Sequence, residues 1–285
     1  MNDDFRSYRL QKGYSEKTIK SQDSYLGKFN AWLIGKGINL KSINYQTILS
    51  FVSDERKKGT SSANLRNQLQ AIRIYLDYNR DIGTIESNPA VNIKLQDKGY
   101  KTLPLAIEEE TLSVIYKTFT TQIPSNEQRK NQHGRDSVAL GLMIFQGLDS
   151  GDLERLTIKD INLTEGIIYI IASRKNASRS LKLESLQILS IHLYITTQSI
   201  SDKLFTKSKV NDMVSGIVDK LKKQYPVILN PRHIRSSVIQ NWLKRYHIRK
   251  VQYMAGHRRV SSTERYRKED LNDLANQISK YHPIK

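Results

Sequence analysis

The sequence contains no cysteine, which excludes disulfides and thiolate metal sites and fits a reducing interior. It has no apolar run near the roughly 20 residues a membrane span requires, and its mean hydropathy is -0.55. The opening Met-Asn-Asp-Asp-Phe-Arg lacks the charged-then-apolar plan of a secretory signal. A cytoplasmic protein without membrane contact is the expectation. Acidic residues are also scarce, with 28 Asp+Glu against 46 Lys+Arg, a net charge of +18. That excess disfavours a small neutral substrate and favours a polyanionic partner, with nucleic acid ahead of an acidic membrane surface.

A chain of 285 residues exceeds the usual single-domain size, so two domains are expected. The charge is uneven between its parts. Residues 1–100 carry 16 basic and 10 acidic side chains, whereas residues 206–268 carry 16 basic against three acidic ones, Asp212, Asp219 and Glu264. A solvated Lys/Arg surface is the plain reading of one basic run. This run, however, also holds His257, Tyr266 and paired arginines.

Residues 1–95 read as a helical domain. Ser15 caps a helix whose apolar positions run through Ile19, Leu26, Phe29 and Leu33 and stop at Gly35 and Gly37. Further helices cover Ile48 to Lys58 and start near Ser61, and Asn88-Pro89 closes the unit. Residues 96–103 read as a linker, and 104–285 as the second domain. There, Pro104 to Phe119 and Ser137 to Phe145 read as helices, Ile158 to Leu183 as a small antiparallel sheet, and the remainder from Leu186 as helical. The fold class is therefore mainly α with one small antiparallel β-sheet.

Asn230-Pro231 is a strong helix start. On the helix that follows, Arg232, Arg235, Ile239 and Trp242 fall on one face. Arginines that prolong an apolar stripe need an anionic partner, either a structural Asp or Glu or a phosphate diester held by two parallel hydrogen bonds. His257 follows Met254-Ala255-Gly256, and Tyr266 lies nine residues on, across a polar turn from Arg258 to Thr263. A phenol with an ordinary pKa near 10 attacks phosphorus only where cations stabilise phenolate and the crowded transition state. This segment supplies them.

Taken together, the motifs resemble those of the tyrosine recombinases of the phage integrase type. Gly-His-Arg-Arg-Val-Ser-Ser-Thr-Glu-Arg-Tyr (Gly256 to Tyr266) is similar to the signature in which Gly-His precedes the nucleophilic tyrosine. Pro-Arg-His-Ile-Arg-Ser-Ser (Pro231 to Ser237) resembles the His-x-x-Arg motif, and Gly147 to Ile161 the segment that usually reads Gly-Leu-Arg-x-x-Glu-Leu. Ser173 to Leu183 resembles the hairpin whose lysine protonates the leaving 5′ oxygen. The resemblance implies a helical core-binding domain of the SAM-like type, a mixed α+β catalytic domain, and catalytic residues Tyr266, Arg235, His257 and Lys175, the last preferred over Arg174. It implies cleavage through a 3′-phosphotyrosyl link without cofactor or metal, double-stranded DNA as partner, four protomers on two sites and accessory DNA-bending proteins. It further implies a target in a mobile element or invertible locus. DNA contacts are expected from Arg174, Arg179, Arg258, Arg259, Lys17 and Arg66. The segment with Leu271, Leu274, Ile278 and Tyr281 resembles the tail that packs on a neighbour, and a separate arm-binding domain is expected to be absent.

Two positions depart from that pattern. Asp149 stands where the first arginine is expected, and Arg232 where the motif histidine is. Arg232, one helical turn from Arg235, is expected to restore the missing charge. The alternatives are a DNA-binding protein of the same fold without catalysis, and a type IB topoisomerase-like enzyme.

Overall fold

The computed structural model describes residues 3–95, 103–200, 202–205 and 210–267. The chain divides into two units, Met1–Lys101 and Thr102–Lys285.

The first unit is built from α1 (Asp3–Gln11), α2 (Glu16–Gly35), α3 (Tyr45–Lys57) and α4 (Ser62–Asp81). Each long helix begins where a short polar side chain satisfies an amide that has no partner within the helix. Ser15 accepts from the Thr18 amide, Ser61 from that of Asn64, and Asn44 forms a reciprocal box with Thr47. After α2 the chain turns at Gly37, whose φ of 64° suits a residue without Cβ. Leu26 and Phe29 of α2, Phe51 of α3 and Leu69, Ile72 and Leu76 of α4 form the core. Beyond α4, Asn88 donates to the Arg73 carbonyl and to Asp77 and accepts from the Ala90 amide, fixing the Asn-Pro turn. Lys17 lies exposed in the first turn of α2 and Arg66 in the second turn of α4.

The second unit contains α5 (Glu109–Thr121), α6 (Glu127–Phe145), α7 (Ser150–Arg155), β1 (Ile161–Asn162), β2 (Ile167–Ile170), β3 (Arg179–Lys182), α8 (Ser185–Thr197), α9 (Val210–Gln224), α10 (Pro231–Arg245), α11 (Ile248–Ala255) and α12 (Val260–Glu264). The strands form an antiparallel sheet in the order β1-β2-β3, with Ile168 opposite Leu181 and Tyr169 opposite Ser180. Ile168 and Leu181 are buried while Tyr169 and Ser180 face outward, the alternation expected of a sheet with one covered face. Their buried sides join Leu142, Ile144, Leu153, Ile217 and Ile234 in one core.

Three boundaries differ from the pattern-based expectation. Residues 103–108 are not helical, because this stretch is bound in extended form to α10: the Ile107 amide donates to Ser237, Asn241 donates to the Ile107 carbonyl, and a His233 ring nitrogen meets the Leu105 carbonyl at 2.8 Å. Helix α6 starts at Glu127 rather than Ser137, capped by Asn126. Its first half is polar and partly exposed, so the sequence there carries no apolar period. The stretch 258–263 is not only a turn, since α12 occupies most of it. The linker assigned to residues 96–103, apart from Leu103, and the tail with Leu271, Leu274, Ile278 and Tyr281 lie outside the described residues. Among the described residues no helix is long and apolar enough to cross a membrane.

Candidate active site

The centre of the second unit is a buried carboxylate. Asp152 of α7 is fully buried, and three arginines surround it: Arg179 of β3 at 2.7 Å, Arg155 at 2.8 Å and Arg235 of α10 at 3.7 Å. Burial pushes its pKa up, but the charges of Arg179, Arg235 and Arg155 and the Arg179 hydrogen bond outweigh this and hold it below the ordinary carboxylate value. One negative charge thus gathers three cations from three elements.

Arg235 is 9% exposed. Its guanidinium donates to the carbonyls of Gly147, which follows α6, and Ala255, the end of α11. These bonds fix it between the two segments that carry residues 149 and 257. Arg232, on the first turn of α10, is exposed and makes no side-chain hydrogen bond or ion pair among the described residues. The shared face inferred from spacing therefore splits at the helix start, with Arg235 inside and Arg232 outside. Arg179 is a correction to the sequence reading. Its side chain is 0% exposed and held by Asp152, so it is a structural cation and not a DNA contact. Among the described residues its Nε and Nη1 have no hydrogen-bond partner.

Gly256 ends α11 in the left-handed region at φ 71°. Its carbonyl accepts from the Ala177 amide at 2.8 Å, joining the α11 terminus to the segment before β3. A Cβ here would collide with Arg179 Nη1 and lie 3.0 Å from Cζ, so glycine is required by both backbone and space. The tie places His257 beside Asn176, with which it forms an isolated antiparallel bridge.

Thr263 of α12 is fully buried and links the His257 ring to the backbone of Tyr266. Its Oγ1 lies 2.9 Å from His257 Nδ1, and its carbonyl accepts from the amides of Arg265 and Tyr266. The rings of His257 and Tyr266 stack with centroids 5.8 Å apart and planes inclined by 13°. Burial, reinforced by Arg235, Arg179 and Arg265, pushes the His257 pKa down to about 4, so the imidazole is neutral near pH 7. With Nδ1 engaged by Thr263, Nε2 is the ring nitrogen left for reacting atoms.

His257 and Tyr266 open on a cavity of about 480 Å³ lined also by Lys175, Asn176, Arg258, Arg259 and Arg265, with Ser262 and Leu103. Among the described residues its lining contains no aspartate or glutamate. Sequence reading assigned Tyr266, His257, Lys175, Arg258 and Arg259 separately, and the structure brings them to one wall. Arg258 donates to the Ser173 carbonyl at 2.8 Å, tying the segment between α11 and α12 to the hairpin loop that carries Arg174 and Lys175. Arg174 and Arg232 do not line the cavity. Sequence reading missed Asp152, whose role is invisible without its three partners, and Arg265, whose signal was its place immediately before the tyrosine.

Asp149 is half-buried and caps α7, accepting from the Asp152 amide at 2.9 Å. The residue that replaces the expected arginine therefore has a local structural function of its own.

The second unit is thus a mostly helical protein of the kind that carries one three-stranded antiparallel sheet, with histidine and tyrosine paired in a basic cleft suited to an anionic group. Residues 107–272, more than half of the chain, match the phage integrase family. Over 96% of its length the chain is 23% identical to tyrosine recombinase XerD of Pseudomonas aeruginosa, covering 94% of that protein. It is 25% identical to tyrosine recombinase XerA of Pyrococcus horikoshii, over 98% of this chain and 92% of that one. The fold is shared with the Tn1549 transposon integrase in complex with transposon right end DNA (TM-score 0.63, 14% identity, 97% of this chain and 98% of that one). It is shared also with a lambda integrase dimer bound to a core site (TM-score 0.68, 14% identity, 94% of each chain). The chain belongs to the phage integrase family and is a tyrosine recombinase.

Proposed function

We propose that this protein recombines duplex DNA at specific sites, cutting each strand with Tyr266 to form a 3′-phosphotyrosyl link. The observation that carries this reading is the cavity in which Tyr266, His257 and Lys175 meet among arginines, with no carboxylate in its lining among the described residues. A phosphate there meets cations on its oxygens and a hydroxyl within reach of phosphorus. In the reaction the Tyr266 oxygen bonds to phosphorus as its proton leaves to His257 Nε2 or water. The bond from phosphorus to the 5′ oxygen breaks, and Lys175 delivers a proton to that oxygen. Arg235, locked by the Gly147 and Ala255 carbonyls, presents a fixed charge to the phosphate, while Arg232 and Arg174, outside the cavity lining, contact the DNA backbone beyond it.

A 5′ hydroxyl from a partner duplex then attacks the phosphotyrosyl link, restoring a phosphodiester and freeing Tyr266. The XerD and XerA relatives are named as tyrosine recombinases, and solved relatives are bound to transposon-end and core-site DNA; both support duplex DNA as substrate. The reading extends to four protomers on two sites, accessory DNA-bending proteins, a locus in a mobile element or invertible segment, and backbone contacts from Lys17, Arg66, Arg258 and Arg259.

The deciding experiment incubates the protein with duplexes bearing candidate sites, nicked next to the cut so that cleavage is trapped. The parent forms a covalent protein–DNA adduct on a denaturing gel. Tyr266→Phe forms none and binds the same DNA with nearly unchanged affinity, since it removes a hydroxyl and no charge. Adduct from Tyr266→Phe shifts the nucleophile to another tyrosine. Binding without adduct from the parent favours the reading that Asp149 has left a DNA-binding protein without catalysis.

A further inference from the structure

We infer that Arg265 supplies the phosphate contact that position 149 lacks, acting with Arg235 on the scissile phosphate; this rests on the recombinase reading above. The loss to be covered is specific. Asp149 is committed to capping α7, so a carboxylate, not a guanidinium, occupies the place of the expected arginine. A phosphate diester left with Arg235 as its one arginine forgoes a two-armed clamp.

The cations of the neighbourhood separate by what they are already doing. Arg179 is fully buried on Asp152, and Arg155 also pairs with Asp152. Arg258 is tied to the Ser173 carbonyl. Arg232, although one turn from Arg235, does not line the cavity. Arg259 and Arg265 both line it, are exposed, and make no side-chain hydrogen bond or ion pair among the described residues; of the two, Arg265 is the one whose charge acts on His257 and which directly precedes Tyr266. Three arginines lower the affinity of His257 for a proton, namely Arg235, Arg179 and Arg265. Of these, Arg265 is the one with an uncommitted guanidinium.

The backbone supports the same assignment. The Thr263 carbonyl accepts from the amides of both Arg265 and Tyr266, and the Thr263 hydroxyl holds His257. Clamp, nucleophile and histidine would then move as one piece. The charge that stabilises the transition state would be delivered with the tyrosine rather than from the α7 segment.

The test measures single-turnover cleavage of a nicked site carrying either an ordinary scissile phosphodiester or an uncharged methylphosphonate, with Arg265→Ala, Arg265→Lys, Arg232→Ala and Arg267→Ala beside the parent. Arg265→Ala is expected to slow the phosphodiester on the order of 100-fold, with Arg265→Lys recovering part of the loss. On the methylphosphonate, where no anion needs neutralising, the deficit shrinks to a few-fold. A structural role would slow both substrates alike. Arg267→Ala removes the same charge two residues on and leaves the rate unchanged. Arg265→Ala cleaving the phosphodiester within about threefold of the parent, equal losses on both substrates, or a large charge-dependent loss in Arg232→Ala alone overturns the assignment. A parent that forms no adduct overturns the recombinase reading, and this assignment falls with it.

Discussion

The Asp149 carboxylate accepts a hydrogen bond from the Asp152 amide at 2.9 Å, so a residue that departs from the family pattern caps the short helix bearing the buried acid of the site. Restoring arginine at 149 therefore also removes a cap. Asp149→Arg and Asp149→Ala are expected to cost about 1 kcal/mol of stability, while Asp149→Asn and Asp149→Ser stay within a few tenths of the parent. Urea denaturation of the four variants checks this. Equal stability across the set would mean that the cap contributes nothing.

Removing the Asp152 carboxylate leaves Arg179 buried with an uncompensated charge, so Asp152→Asn is expected to lose roughly 3–5 kcal/mol. Arg179→Met alone leaves the acid with Arg155 and Arg235 and should cost less. The double variant should be more stable than the sum of the single losses predicts, a coupling that a double-mutant cycle on denaturant midpoints reads directly. Additive losses would show that the two residues act independently despite their 2.7 Å contact.

Lys175 lines the cavity with Tyr266 and is exposed, as a residue that hands a proton to a departing oxygen should be. Lys175→Ala is expected to slow cleavage of an ordinary phosphodiester by about 100-fold. A substrate with a bridging sulfur at the 5′ position should be cleaved by the variant nearly as fast as by the parent, because a thiolate departs without a proton. Similar losses on both substrates move the general-acid role to Arg174, next to it on the same loop.

Much of this architecture was legible because its signals are local. Ser15, Ser61 and Asn230 announced helix starts, Gly37 a stop, and the order of the Arg235, His257 and Tyr266 motifs the site. What escaped depended on partners distant in sequence. Arg179 reads as one more cation of a basic hairpin until Asp152, 27 residues earlier, is seen to bury it. The extended stretch before α5 carries an apolar pattern compatible with a helix, yet hydrogen bonds from residues about 130 positions away hold it straight. His233 is buried beside the expected motif position, its ring bonded to the Leu229 amide and the Leu105 carbonyl. It serves packing, which spacing alone does not reveal.

Proton linkage at His257 gives a prediction with a definite sign. Burial first, and Arg235, Arg179 and Arg265 after it, hold the imidazole at about 4 against an ordinary 6.5. Between those pH values the unfolded chain binds a proton that the folded chain refuses. Stability contributed by this group therefore falls as pH drops from 6.5 towards 4 and is unaffected above that window. His257→Asn removes the linkage, so parent and variant should differ in how steeply their stability declines between pH 6.5 and 4 and run parallel above pH 7. A DNA phosphate entering the cavity opposes the three arginines and draws the histidine pKa upward. Binding near pH 5.5 should then take up protons, seen by calorimetry as a dependence of the binding heat on the ionisation enthalpy of the buffer. That dependence should disappear in His257→Asn; the same proton uptake in both proteins would place the titrating group elsewhere and leave His257 neutral throughout.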